Sequence, residues 1–264
     1  LCNALDFIIT FVFELRRTMA KCGFEEKSRL LRELIKALGL SAHGLVARYE
    51  GARFCDGFSK LKVFAEILLG KVSEETCRYL GSRLGGKGLG HHRDGRSPVE
   101  YGIDLVRGWL YEDALIGGFG LHGMNAERVG RDHLREFLPG SKVGSDSDFL
   151  VSRGSMTRRV EVVSDYTKYW ESNDRVDLRD SKYQKLVDED CLLLGISLGT
   201  LDGFLFHPRT ETRFKVVRIP RHGGFRGKPA VSVFGVSDIT VPVPELLSSL
   251  AAEITPPVPV EVMP

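Results

Sequence analysis

The chain has 264 residues, enough for one large domain or two modest ones around a substantial core. Its 37 basic and 35 acidic side chains leave a formal charge of +2, too weak a balance to point to nucleic acid by itself. With 42% hydrophobic and 27% charged residues the composition is that of an ordinary soluble globular protein. Cys2, Cys22, Cys55, Cys77 and Cys191 are scattered with no C-x-x-C pair, which argues against a disulfide framework and against a zinc site. Reduced thiols in an intracellular protein are the expectation. The only amide side chains are Asn3, Asn125, Asn173 and Gln184, a depletion that suits a thermophilic source.

The chain opens on Leu1, as a fragment or processed chain would. Its first apolar stretch, Leu5 to Leu15, contains Asp6 and Glu14, is too short to span a bilayer and lacks the basic region of a signal peptide. A core helix is predicted there, with Phe7, Ile8, Phe11, Val12 and Leu15 at helical spacing. Leu30, Leu31, Leu34, Ile35 and Leu38 predict a second helix, and Phe64, Ile67 and Leu68 a third. Ser73 with Glu74 and Glu75 gives a fourth helix an N-cap and an acidic first turn. Residues 1–95 are thus expected to form a helical module, ending in a Gly- and base-rich linker over 81–95.

Pro98 is placed in the first turn of a helix that carries Trp109, Leu110, Glu112 and Leu115. A glycine-rich break at Gly117, Gly118, Gly120 and Gly123 should end it, and Asn125 should cap a further helix over 126–138. Strands are predicted at 147–152 and 158–166, a helix at 177–190, and strands at 191–197, 203–207, 214–219 and 230–236. Residues 241–264, rich in proline, are expected to be extended or disordered. The expected architecture is an α/β domain over 96–240 behind the helical module.

One constellation could carry chemistry. Side chains alternate across a strand, so Glu161, Val163 and Asp165 share one face while Val160 and Val162 share the other. If the valines face the core, Glu161 faces a site, and a hairpin-like return from Asp148 brings the two acids together. Such a pair suits a hard divalent cation, Mg²⁺ or Mn²⁺. Glu112, Glu127 and Asp165 are reserve carboxylates. Downstream, Arg209, Arg213, Lys215, Arg218, Arg221, Arg226 and Lys228 make a basic cluster that could follow a phosphate backbone.

The region 126–206 resembles the PD-(D/E)XK nuclease superfamily, which includes restriction enzymes and archaeal Holliday-junction resolvases. Ser147-Asp148-Phe-Leu-Val matches the first half-motif and Glu161-Val-Val163 the second, with a preceding helix carrying Glu127 and Glu136. Ser147 replaces the family's proline and Val163 its lysine. Residues 161–170 and Lys182-Tyr-Gln-Lys185-Leu are also similar to the nuclease that partners the archaeal XPB-type helicase, which carries lysines on the next helix instead.

The resemblance implies a restriction-endonuclease-like mixed sheet flanked by helices and metal-dependent hydrolysis of DNA phosphodiesters in repair, recombination or restriction. It further implies Mg²⁺ on Asp148 and Glu161, with Lys182 as the substitute cation and Lys185 second. DNA, a second copy of the chain, or a helicase or other repair protein are the implied partners, with no membrane and a cytoplasmic, nucleoid-associated location. Two other readings compete: a nuclease fold that binds DNA without cutting it, and a structural or interaction protein.

Three further signals carry no functional expectation. Gly81 to Gly88 approximates a phosphate loop but has Gly88 where the hydroxyl residue belongs and follows a helix. Gly118-Phe-Gly120-Leu-His-Gly123 spells a dinucleotide fingerprint with no strand before it and is expected to be a helix–helix turn. His91, His92, His122, His133, His207 and His222 lack ligand spacing.

Overall fold

The computed structural model describes residues 23–85, 96–129, 134–137 and 147–255. The expected helix over Leu5 to Leu15, Cys2 and Cys22, the base-rich linker from residue 86 to 95 with His91 and His92, His133, and the last prolines from Pro256 lie outside the described residues.

Among the described residues the first elements are helices α1 (residues 23–37), α2 (Ala42–Ala47), α3 (Lys60–Leu69) and α4 (Glu74–Leu84). The predicted stripes are the buried ones: Leu30, Leu31, Leu34 and Ile35 on α1, and Phe64, Ile67 and Leu68 on α3. Ser73 caps α4 by accepting a hydrogen bond from the Thr76 N–H. The long helix α5 (Pro98–Leu121) starts with proline in its first turn and a full capping box, in which Ser97 and Glu100 satisfy each other's backbone N–H groups.

The glycines predicted to break α5 lie inside it. A Cβ on Gly117 would come within 2.7 Å of Leu40, and one on Gly118 within 2.8 Å of Leu38. These glycines let neighbouring segments approach the helix, and the chain turns only at Gly123, where φ is +69°. It then enters a strand, β1 (Asn125–Arg128), and not the expected helix. Asn125 and Glu127 imitate a helix start locally, but pairing with β2 (Phe149–Arg153) overrides that preference.

Strand β3 (Met156–Asp165) pairs antiparallel with β2 and parallel with β5 (Leu192–Ser197). The parallel step needs a crossover, made by α6 (Tyr169–Asn173), β4 (Arg175–Arg179) and α7 (Asp180–Asp188). The helix expected from residue 177 therefore begins at Asp180, because Val176 and Leu178 are buried on a strand. Strands β6 (Asp202–Phe206), β7 (Lys215–His222), β8 (Lys228–Phe234) and β9 (Val241–Pro242) follow. The expected loose tail instead forms β9 and helix α8 (Val243–Glu253), which buries Val243, Leu246, Leu247 and Leu250. Its prolines sit at or just before the first turn, where a missing N–H costs no hydrogen bond.

The described residues form a mixed α/β arrangement with two sheets, one ordered β1-β2-β3-β5-β6-β9 and one ordered β4-β8-β7. Alternation on the central strands divides the core in two. Val160, Leu192 and Leu194 join the larger cluster with Leu31, Phe64, Trp109 and Leu247, on the side of the long helices. Leu193, Phe204 and Phe206 join a smaller cluster with Val176, Tyr183, Leu186 and Val231, on the side of α7 and the small sheet.

Candidate active site

The pairing register builds the site. Phe149 lies opposite Val160, so Asp148, one residue earlier, falls opposite Glu161, one residue later. Phe149 and Val160 both face the larger cluster. Opposed residues of an antiparallel pair share a face, so the two carboxylates lie together on the other side. Asp148 is fixed there by the Val162 N–H, which donates to its Oδ2 at 2.8 Å.

Helix α7 runs over that same face. Tyr183 and Leu186 bury one side of it, and Lys182 projects to an ion pair with Glu161. Asp148, Glu161 and Lys182 are therefore brought together. Glu161 is only 7% exposed, and its carboxyl is pushed up to about 7 by burial and by the neighbouring Asp148 charge, against the pull of Lys182. Lys185 lies one turn along and pairs with Glu189 at 3.6 Å. Val163, where the resemblance expects a lysine, packs against the smaller apolar cluster.

The reserve acids are placed differently. Glu112 is held by Arg135 at 2.7 Å, and its charge reaches the hydroxyl of Tyr111 together with that of Asp148. Asp165 faces the same side of β3 as Glu161 but is committed to structure. It accepts from the Thr167 N–H and hydroxyl at 2.7 Å and from the Trp170 N–H at 2.9 Å, anchoring α6. Glu127 is exposed on the edge strand β1, and Glu136 pairs with Lys60 at 2.7 Å. Among the described residues no group of three or more His, Cys, Asp or Glu side chains is arranged to hold a metal ion.

Two neighbours of the site carried no sequence signal. The Tyr111 hydroxyl is buried without a hydrogen-bond partner among the described residues, and burial together with the Tyr166, Asp148 and Glu112 groups raises its pKa well above the ordinary value. In the sequence it is one more aromatic of an apolar helical stripe. Cys191 precedes β5, and its thiol is pushed up to about 12 by burial and by the Glu161 charge, so it stays protonated and is a poor nucleophile.

The basic residues predicted to meet nucleic acid divide into two groups. Arg213 is engaged by Glu211, donating from Nε at 2.9 Å, and holds that carboxyl down at about 2. Arg218 donates to Gln184 on α7 at 3.2 Å. Lys215, Arg221, Arg226 and Lys228 are exposed along β7 and the turn into β8. The two discounted glycine motifs, so far as they are described, belong to α4 and to the end of α5. His207 lies 3.4 Å from Asp190, and His222 lies 3.1 Å from Asp177.

No family model matches the chain, and no solved structure matches it. Among curated proteins it is similar to Protein HEAT-STRESS-ASSOCIATED 32 of Arabidopsis thaliana, with 26% identity over 147 residues. The aligned part is 54% of this chain and 48% of that protein, so the chain spans about half the length of the curated relative it matches. Among the described residues no helix is long and apolar enough to cross a membrane.

Proposed function

We propose that the chain is a metal-dependent nuclease that hydrolyses DNA phosphodiester bonds through Asp148, Glu161 and Lys182. One observation carries the reading: two opposed carboxylates and a lysine from the crossover helix meet on one face of the central sheet. The element order also supports it. Strands β2 and β3, a crossover containing α7 and the parallel strand β5 follow the order that the PD-(D/E)XK resemblance implies, while Glu127 lies on strand β1 and not on the preceding helix it expects.

The residues present fit a Mg²⁺ ion. This cation is commonly held by one or two carboxylates, with waters and substrate phosphates completing its shell, so a third protein ligand is not required. Glu161 carries a raised pKa because it is buried and because a second carboxylate, Asp148, lies beside it, and the Asp148 charge also reaches the buried Tyr111 hydroxyl, which has no hydrogen-bond partner among the described residues. A bound cation would relieve that repulsion. When present it would polarise the phosphate and lower the pKa of a water.

The chain's own groups account for the rest. The Val162 N–H holds Asp148 in position. Lys182 can leave Glu161 for a phosphate oxygen and stabilise the charge that develops there. Its origin on α7 offsets the loss of the strand lysine at Val163. The exposed Lys215, Arg221, Arg226 and Lys228 suit contact with the phosphate backbone.

The test is cleavage of labelled branched, flapped and linear DNA with Mg²⁺ or Mn²⁺. Wild type should cut at least one of them, and chelation or Glu161→Gln should abolish cutting. Steep salt-dependent binding with no cutting by wild type would favour a nuclease fold that only binds DNA; no binding at all would favour an interaction protein.

A further inference from the structure

A second concavity lies away from the carboxylates, between β4 and the turn that joins β7 to β8. It measures about 650 Å³, within the range of small-ligand sites. Its floor is Asp177, a carboxylate already surrounded by donors. Tyr169 donates its hydroxyl to Oδ2 at 2.7 Å, Ser232 donates to Oδ1, and Arg175 Nε and His222 Nε2 lie at 3.3 and 3.1 Å. With Asp177 committed, what remains toward an incoming ligand is cationic and aromatic.

The Phe225 ring stands 4.9 Å from the His222 ring and lines the cavity with Ile219. Arg221 lines it too, and among the described residues no ion pair or hydrogen bond engages its guanidinium. Gly223 and Gly224 leave the rim without side chains; a Cβ added at Gly223 meets nothing within 4 Å. An aromatic wall suits the face of a base, and an unengaged arginine beside it suits a phosphate. A paired base has both faces stacked and cannot offer one to a wall, so the fit is to an unpaired nucleotide.

We propose that this cavity receives one unstacked nucleotide of a single strand, with the base against Phe225 and the phosphate on Arg221. The proposal rests on the nucleic-acid reading above and gives its substrate a single-stranded segment. It is tested by binding of labelled oligothymidylate and of a blunt duplex of equal length, by fluorescence anisotropy in chelator, where no cutting occurs.

Phe225→Ala should weaken single-strand binding about tenfold and leave duplex binding unchanged, since stacking on one aromatic is worth about that much. Gly223→Leu should do the same by filling the cavity from a position with open space around it. Arg221→Ala should lower the salt slope by about one, as loss of one phosphate contact does. No weakening in the Phe225 and Gly223 variants, equal weakening on duplex, or no binding of the single strand by wild type overturns the proposal. Cutting that needs Glu161 while single-strand binding ignores Phe225 and Gly223 sinks the cavity alone. Single-strand binding through Phe225 by a protein that never cuts sinks the catalytic reading alone.

Discussion

The surroundings of Glu161 oppose its ordinary ionised state. A solvated glutamic acid ionises near 4.5, and burial beside Asp148 pushes this one up to about 7. Between those values the folded chain holds a proton that the unfolded chain has released. Stability from this group is therefore complete below about 4.5 and is lost as pH rises through about 7. Urea unfolding of the metal-free protein across that range should show stability falling with pH, and Glu161→Gln should flatten the fall; an unchanged slope in the variant would contradict the assignment. The two acids were legible in the sequence because strand alternation puts Glu161 opposite in sense to Val160. Lys182 was legible only through the family likeness. Tyr111 was not legible at all, since its place beside Asp148 depends on how α5 lies against β2, which no local pattern encodes.

At the level of elements, strands with continuous apolar runs were read well, and those whose identity depends on a distant partner were not. Residues 192–197 are buried throughout and could be nothing but a central strand. Residues 125–128 are polar and short, become a strand only by pairing with β2, and so read as the start of a helix. Residues 177–179 of β4 read as the start of the helix that follows for the same reason, since their partner is β8, more than fifty residues away. Gly195 shows how tightly the central strands are fitted. It pairs with Val163 on one side and Phe204 on the other, and a Cβ there would fall 2.2 Å from the Phe204 ring. Gly195→Ala should cost about 1–3 kcal/mol in chemical denaturation, the usual penalty of overpacking. A variant as stable as wild type would mean that the ring moves aside freely.

Across the whole molecule, the larger core ties the N-terminal helices to the sheet that carries the site. Trp109 on α5 lies 5.9 Å from Phe64 on α3 and 5.3 Å from Phe137, all three buried. Trp109→Ala should lower stability by about 3–5 kcal/mol. Because one cluster includes Phe64, Trp109, Val160 and Leu194, the loss should appear in the unfolding of helices and sheet alike. Circular dichroism and a fluorescent label on the helices, followed through one urea titration, check this; separate transitions for the two probes would contradict it.

In the proposed mechanism Lys182 performs from α7 what Val163 cannot perform from β3. Its most direct test is single-turnover cleavage by Lys182→Ala, on a DNA that wild type cuts in Mg²⁺, with Mn²⁺ binding measured on the same protein. The expected result is a loss of about 10²–10³-fold in rate, the scale of removing one group that stabilises transition-state charge, with Mn²⁺ affinity retained by Asp148 and Glu161. Cleavage by Lys182→Ala at the wild-type rate would contradict it.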